Sequence, residues 1–361
     1  MLQERGYRLR PRYRPGWKPS WTDTDIHPVY CEDSFTIIHW KILDATRISD
    51  GKTVIIKRVP VDSPEGDIAQ FLSSPERLLD ERNHTVPIFD RFRDDSVPDS
   101  EFIVMPLLRL ATDPPFAVVS EIVELVRQTL EGLVYMHEQG VAHRDFSWLN
   151  IMLDASPMYP TGFHAQMKFL DPTGIHSVRE TRRCDLNTVK YYIVDFGLSV
   201  RFEESDMVRL VTGVAAQDRN VPELSTSTPY DPFMVDIFTL GNFYLETLIA
   251  SYSNLNFLTP LAIAMTKRDP KERPTAVEAS NLFKDAVENL PGYKLRWRVR
   301  DPDDTVISSV ISDAQSALRE IMYQIKLFLG VSQSNSQLLH WSMSDYSVGN
   351  PGNHSSNPTD G

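Results

Sequence analysis

The sequence predicts an α+β fold of two lobes, in which a small antiparallel β-sheet lobe precedes a mainly helical lobe. Residues 53–59 form a run rich in Val and Ile after a turn at 49–52, and residues 35–38 form a similar run before it, which predicts a β-hairpin. Residues 120–138 place apolar side chains three and four positions apart, which predicts a helix with one face in the core. A strand-rich front half therefore precedes a helix-rich back half.

The remaining elements fit the same order. Residues 102–105 predict a short strand, and residues 64–72 predict a short helix with Pro64 in its first turn. Ser120 is expected to cap the N-terminus of the long helix, and Gly140 follows the end of that helix. Further helices are expected at 235–250, 257–266 and 275–289.

Composition and charge exclude several classes of protein. Of the 361 residues, 41% are hydrophobic and 10% are aromatic, which is enough for a sizeable core. A formal net charge of −12 argues against nucleic-acid binding, because a surface that reads phosphates is normally basic. Cys31 and Cys184 lack a C-x-x-C spacing, so neither a disulfide framework nor a zinc site is expected. Since no leader-like segment and no apolar run of about 18 residues is present, neither secretion nor membrane insertion is expected, which leaves the cytoplasm or the nucleus.

Changes in composition along the chain predict its domain organisation. The first 22 residues are basic, aromatic and rich in proline. They either bind a polyanion or pack their rings on the domain with the charges in solvent, and the second interpretation is favoured. Several Pro and Gly residues within 154–189 predict an inserted loop. The expected segments are an arm at 1–22, an N-lobe at 23–108, a C-lobe at 109–295 with the insert, a helical extension at 296–331 and a disordered tail at 332–361.

Two short motifs carry the expected chemistry. Asp145 and Asn150 stand five residues apart in the segment HRDFSWLN, and Asp195 follows a predicted strand and precedes Phe-Gly. Phosphoryl transfer from ATP needs hard oxygen ligands for Mg²⁺ and a carboxylate beside the accepting hydroxyl. Either motif alone is weak, because an aspartate before Phe-Gly is commonly a turn residue. Together they indicate that Asp145 is the base and that Asn150 and Asp195 are the metal ligands.

With these motifs in order, residues of about 30–290 resemble the eukaryotic protein kinase superfamily, which implies a bilobal protein-kinase-like fold. The insert segment MYPTGFH at 158–164 is similar to divergent fungal protein-kinase-like proteins. The resemblance implies ATP and Mg²⁺ as cofactors and assigns Lys57, in the strand segment VIIK, to the α- and β-phosphates. The expected carboxylate partner of Lys57 is Glu65, and Glu76 is the alternative.

The resemblance also implies where adenine binds. Met105 falls at the gatekeeper position, and Pro106 begins the hinge. In the pattern of adenine recognition that this implies, the first hinge residue offers its carbonyl and the third offers its N–H. Proline is therefore tolerable at the first position, and Leu108 supplies the donor.

Three further residues match structural positions of the family. Glu223, in the segment VPE, closes the activation segment that begins at Asp195, and Arg273 matches the arginine that pairs with this glutamate. Asp236 matches the helix aspartate that braces the catalytic loop. Small-molecule kinases of the aminoglycoside phosphotransferase type share the Asp–Asn–Asp trio but lack this clamp, so the resemblance favours a protein substrate.

Two departures from the family pattern leave two classes of function open. Residues 36–45 stand where the Gly-rich loop is expected and contain no glycine, so each Cβ hinders approach of the backbone to the phosphates. Ser147 stands two residues after Asp145, where serine/threonine kinases typically carry a lysine. The expected function is an ATP-dependent protein kinase acting on a protein hydroxyl, with serine and threonine favoured. The alternative is a pseudokinase scaffold with weak or no catalysis.

Overall fold

A computed structural model of the chain describes residues 1–186 and 189–329. The chain divides into two compact units, residues 1–316 and 317–361, and the first of these contains both lobes. The tail predicted at 332–361 lies outside the described residues. Within the described ranges, no helix combines the length and the apolar character that crossing a membrane requires.

The N-lobe is built on a five-stranded antiparallel sheet, which confirms the predicted α+β class. The strands lie in the order β1-β2-β3-β5-β4, and a short helix α1 (Glu65–Leu72) connects β3 to β4. Side chains alternate across β3, so Val54 and Ile56 enter a small core that also contains Tyr7. The strands are β1 (Tyr7–Leu9), β2 (Ile42–Arg47), β3 (Thr53–Pro60), β4 (Asp90–Arg93) and β5 (Ser100–Pro106).

The first two strands differ from the prediction. The strand expected at 35–38 is irregular, whereas β1 lies inside the predicted basic arm and pairs with β2. A strand of three residues is too short to show a period of two, so the sequence pattern does not reveal it. Residues 10–41 therefore connect β1 to β2, and we call this segment the connector.

Two of the six cations of the arm, Arg10 and Arg12, are not left in solvent, contrary to the favoured interpretation, whereas Arg5, Arg8, Arg14 and Lys18 are exposed as it expects. Arg10 forms ion pairs with Glu32 and Asp44, and Arg12 donates to the carbonyl oxygens of Asp33 and Ser34. These acceptors lie more than twenty residues further along the chain. Because only the folded chain brings them to the arm, sequence patterning could not reveal the pairing.

The C-lobe is mainly helical and is organised around the long helix α2 (Val119–Glu138). Its inward face, including Ile122, Leu125 and Leu130, is fully buried. The helices that follow are α3 (Pro232–Asn242), which continues as a π-helical segment (Phe243–Ile249), α4 (Thr259–Met265), α5 (Ala276–Glu288), α6 (Gly292–Arg296) and α7 (Val306–Phe328).

The ends of α2 show one success and one error of sequence reasoning. Gly140 has a positive φ of 71°, as expected after a helix terminus, and a Cβ there would clash with the carbonyl of Phe202. The N-cap is Val118 rather than Ser120, and no side chain caps the helix. The first N–H of the helix, on Val119, instead donates to the carbonyl of Trp297.

Short strands of the C-lobe carry the loops at the cleft. β8 lies between β6 and β9 in a three-stranded sheet, and the other strands form two pairs, β7 with β10 and β11 with β12. The bounds are β6 (Arg109–Leu110), β7 (Val141–Ala142), β8 (Ile151–Asp154), β9 (Lys190–Ile193), β10 (Val200–Arg201), β11 (Val211–Gly213) and β12 (Ser225–Tyr230).

The insert at 154–189 is irregular over most of its described length, with one 3₁₀ turn (Arg183–Asp185) and one isolated bridge between Leu170 and Ser177. It nevertheless packs on the domain. The guanidinium of Arg109 lies 4.8 Å from the ring centre of Tyr159 and 4.9 Å from that of Phe163. The insert is therefore attached to the strand that follows the hinge.

Candidate active site

A lysine and two carboxylates meet at the upper end of the cleft. Nζ of Lys57, on β3, lies 2.5 Å from Oε1 of Glu65 and 2.9 Å from Oδ1 of Asp195. Burial alone would lower the pKa of Lys57, but the two carboxylates outweigh it and raise the pKa above its ordinary value. The ammonium therefore stays charged at neutral pH. Glu76, the alternative partner, lies beyond the end of α1 on the surface.

The backbone directs Asp195 into the cleft. Its φ of 67° lies in the left-handed region, which is uncommon for a residue with a Cβ, and its side chain accepts a hydrogen bond from the N–H of Gly197. The side chain is 48% exposed, whereas that of Lys57 is 12% exposed. Burial would raise the pKa of Asp195, but Lys57 and the Gly197 N–H lower it below the ordinary value. An ionised carboxylate thus faces the space where a nucleotide would bind.

The catalytic loop is held from below by Asp236 on α3, which is fully buried. Its Oδ2 accepts from the backbone N–H of His143 at 2.7 Å, and its Oδ1 accepts from the N–H of Arg144 at 2.6 Å. Nε2 of His137 lies 3.1 Å from Oδ2. The structure thus places Asp236 where the resemblance implies a brace for this loop.

Asp145 and Asn150 contact each other at the lower end of the cleft. Nδ2 of Asn150 donates to the carbonyl oxygen of Asp145 at 2.8 Å and to its Oδ2 at 3.0 Å. The amide nitrogen is therefore committed to Asp145, which leaves Oδ1 of Asn150 as the atom for a cation. The N–H of Val194 donates to the carbonyl of Asn150, so the end of β9 brings Asp195 beside this amide.

These donors fit a Mg²⁺ site that phosphate oxygens and water would complete. One carboxamide oxygen and one carboxylate are hard ligands of the type that Mg²⁺ takes in nucleotide sites. Across residues 1–186 and 189–329, no group of three His, Cys, Asp or Glu side chains is arranged to hold a metal ion. A pair of oxygen ligands such as Asn150 and Asp195 would hold a cation only together with the oxygens of a nucleotide and of water.

Asp145 has a further partner that sequence reasoning missed. The backbone N–H of Gln217 donates to Oδ1 of Asp145 at 2.7 Å, and Nε2 of Gln217 donates to Oδ2 at 2.9 Å. The hydroxyl of Ser147 donates to Oε1 of Gln217 at 2.9 Å. Gln217 lies between β11 and β12 and belongs to no motif, so no signal in the sequence singles it out.

The expected adenine contacts lie on the strand and hinge that lead to the C-lobe. Met105 and Pro106 end β5, where they pair with Ile55 and Val54 of β3. Leu108 is buried between β5 and β6 and belongs to neither strand, so sheet pairing does not use its N–H. Their role in binding adenine stays a prediction.

The roof of the cleft differs from the expected Gly-rich loop. Asp44 on β2 lies opposite Ile55 on β3, and because directly opposed residues share a face, Asp44 points to the same side as Lys57. The connector, rather than a short loop within 36–45, joins the first two strands. Gly16 is its one glycine.

Five side chains, which we call the roof network, join the connector, β2 and the insert. Arg10 Nε lies 2.7 Å from Asp44 Oδ2, and Arg10 Nη1 lies 3.1 Å from Glu32 Oε1. Gln166 donates to Asp44 at 2.9 Å, and Nε2 of His164 lies 3.1 Å from Glu32. Burial alone would raise the pKa of Glu32, but its hydrogen bonds with His164 and Arg10 lower it below the ordinary value.

The insert links this roof to the hinge. Arg109, which directly follows Leu108, donates from Nη1 to the carbonyl of Lys168 at 2.7 Å. Lys168 is two residues from Gln166, which contacts Asp44. The insert therefore spans from the roof of the cleft to the strand beside the hinge.

The end of the activation segment is clamped as the resemblance implies. Arg273 donates to both carboxylate oxygens of Glu223, at 2.5 and 2.8 Å, and its side chain is 0% exposed. It also donates to the carbonyls of Lys267 and Met234. A buried arginine with this many acceptors fixes the segment against α3.

Comparison with known proteins gives evidence of family that is independent of the site geometry. A family model described as the protein kinase domain matches residues 44–256, which is more than half of the chain. The serine/threonine-protein kinase shk1/pak1 of Schizosaccharomyces pombe is 27% identical over 46% of this chain and 20% of its own length. The serine/threonine-protein kinase ppk8 of the same yeast is 28% identical over 32% of this chain and 17% of its own length.

A third relative is named a light-sensor protein kinase, from Ceratodon purpureus, and is 31% identical over 24% of this chain and 5% of its own length. The matches thus span a fifth or less of the length of these three relatives. The family assignment rests on the match to the family model and on the site geometry. The chain belongs to the protein kinase domain family.

Proposed function

We propose that this chain is an ATP-dependent protein kinase that transfers the γ-phosphoryl group to a protein hydroxyl of serine or threonine. One observation carries the proposal. The charged groups needed for phosphoryl transfer, which lie far apart in the sequence, line one cleft: Lys57 between two carboxylates at one end, and Asp145 locked to Asn150 at the other.

Each side chain has a distinct role in this mechanism. Lys57 binds the α- and β-phosphates, and Glu65 holds its ammonium in place. Asn150 and Asp195 would hold Mg²⁺, which would supply positive charge to neutralise the phosphate oxygens. Asp145 accepts the proton of the substrate hydroxyl or orients that hydroxyl for attack.

The adenine contacts complete the nucleotide site. The carbonyl of Pro106 accepts from the amino group of adenine, and the N–H of Leu108 donates to the ring. Met105 lines the inner end of the pocket. Pro106 loses nothing in this arrangement, because the position requires an acceptor and proline lacks only the donor.

Two observations support a protein as the acceptor. The clamp between Glu223 and Arg273 orders the activation segment, and small-molecule kinases lack this clamp. Two of the relatives are named serine/threonine-protein kinases.

The thiols of Cys31 and Cys184 are free, which fits the reducing cytoplasm or nucleus.

The decisive test is a transfer assay with the purified chain, Mg²⁺-ATP and a mixed panel of proteins and peptides. We expect phosphorylation of serine or threonine, and we expect the Asp145→Asn variant to be about 10²- to 10⁴-fold slower, because it lacks the acceptor for the proton. Asp62→Asn, an identical change at an exposed position, serves as the control. A wild-type chain no faster than Asp145→Asn on every substrate would refute the proposal.

One observation favours a second function, a pseudokinase scaffold. The roof network places paired side chains on β2, the region where a kinase normally offers backbone N–H groups to the phosphates. Thermal unfolding with and without Mg²⁺-ATP separates the two functions. A kinase with ATP at 100 times its Kd gains about 2.7 kcal/mol of stability, whereas a scaffold that does not bind nucleotide gains none.

A further inference from the structure

We propose that Gln217 is a positioning residue for Asp145. Together with Ser147, it substitutes for the lysine that serine/threonine kinases typically carry two residues after the base. The proposal rests on the proposed kinase function. Gln217 belongs to no motif, yet it donates two hydrogen bonds to the carboxylate of Asp145, one from its backbone and one from its side chain.

The geometry holds the carboxylate at both oxygens. Oδ1 accepts from the N–H of Gln217, while Oδ2 accepts from Nε2 of Gln217 and from Nδ2 of Asn150. A carboxylate offers about four acceptor positions, so three are used and one on Oδ1 is left for a substrate hydroxyl. The arrangement therefore orients Asp145 and still leaves it able to accept a proton.

Gln217 is itself held from the opposite side. Its Oε1 accepts from the hydroxyl of Ser147, a buried residue, so the amide is bonded at both its oxygen and its nitrogen. This fixes which end of the amide faces Asp145. A neutral amide thus links the base to Ser147, the residue at the position where a lysine is expected.

The segment that carries Gln217 is anchored on both sides. Before it, Nη2 of Arg144 donates to the carbonyl of Thr212 at 3.1 Å. After it, Asp218 accepts from Nδ2 of Asn242 on α3 at 2.7 Å. Asn242 and Arg144 belong to the C-lobe, so these two contacts hold Gln217 beside Asp145 when the activation segment is folded against that lobe. The base is thereby coupled to that segment.

The kinetic test replaces the amide with a side chain of similar length and no donor, Gln217→Met. We expect kcat to fall about 10- to 100-fold, the loss typical of one hydrogen bond to a charged group, because the backbone N–H still binds Asp145. The KM for ATP should change less than about twofold, since the amide contacts the base rather than the nucleotide. Arg219→Ala, an exposed change in the same segment, should match the wild type.

A double-mutant cycle with Ser147 separates positioning from general damage. Ser147→Ala alone should lower kcat less than Gln217→Met, and adding it to Gln217→Met should lower kcat no further, because Ser147 acts through the amide. Additive effects would overturn the proposal. A faster Gln217→Met variant would also overturn it, because Gln217 would then obstruct the base.

A second double-mutant cycle tests the contact between Gln217 and Asp145 by measuring stability instead of catalysis. The unfolding free energies of Gln217→Met and Asp145→Asn should be non-additive, since the two residues share hydrogen bonds, and additivity would refute the contact. A wild-type chain without transferase activity would refute the proposed function and the positioning role with it. An active wild type matched by Gln217→Met in kcat would refute only the role of Gln217.

Discussion

The floor and the roof of the cleft match the family pattern to different degrees. The floor, formed by the catalytic loop at 143–150 and by Asp195, keeps the charged groups that the family pattern requires. The roof, formed by β2, the connector and the insert, replaces a short Gly-rich loop with a buried network of charged and polar side chains. The floor of this chain therefore matches the family pattern, whereas its roof departs from it.

The physical reason lies in what each region must do. In the proposed mechanism the floor must position a base and two metal ligands accurately, and the buried carboxylate of Asp236 holds the catalytic loop in place. The roof has to exclude water and neutralise charge, which a backbone loop or a set of side chains can each accomplish.

The largest expected effect lies at the clamp that ends the activation segment, in the lobe that carries the floor. Arg273→Met leaves the carboxylate of Glu223 without its buried partner, and we expect a loss of roughly 3–5 kcal/mol in the free energy of unfolding. Urea unfolding followed by circular dichroism measures it. The double variant Arg273→Met/Glu223→Met should recover part of that loss, because it leaves no unpaired buried charge. A single variant as stable as the wild type would show that the clamp contributes nothing.

The roof should respond to acid through Glu32. Since its folded pKa lies below the ordinary 4.5, the ionised carboxylate stabilises the fold at higher pH, and this contribution is lost as pH falls through the folded value. Its neighbours are Arg10, His164 and, on β2, Asp44. The stability difference between the wild type and Glu32→Gln should be constant above about pH 5 and shrink below pH 4.5. A difference independent of pH down to 3 would contradict the assignment.

The smallest expected effect compares two thiols, one in the connector and one in the insert. Burial and then Glu121 raise the pKa of Cys184 to about 12, so this thiol should react slowly with iodoacetamide at pH 8. Cys31 is buried within the connector and should also react slowly. Mass spectrometry after timed labelling measures both rates, with urea-unfolded protein as the reference. Glu32→Gln should accelerate labelling of Cys31 and leave Cys184 unchanged, because only the roof is loosened.

The sequence by itself determined the ionic machinery and the long elements. Lys57, Asp145, Asn150 and Asp195 stand in motifs of fixed spacing, and α2 is long enough for its apolar period to be read. Such features are local, because a strand or a loop of a few residues presents each side chain. The partner of Lys57 was harder to predict from the sequence, because both Glu65 and Glu76 were candidates for that contact.

Only the tertiary structure decided the parts that depend on distant residues. β1 is too short to show a period, and the pairs that join Arg10 to Asp44 and Gln166 to Asp44 cross from one segment to another. Gln217 meets Asp145 across 72 residues of chain without any motif to mark it. A hydrogen bond between side chains that are far apart in the sequence depends on how distant segments of the chain pack. No local pattern encodes it, and the fold alone brings the partners within reach.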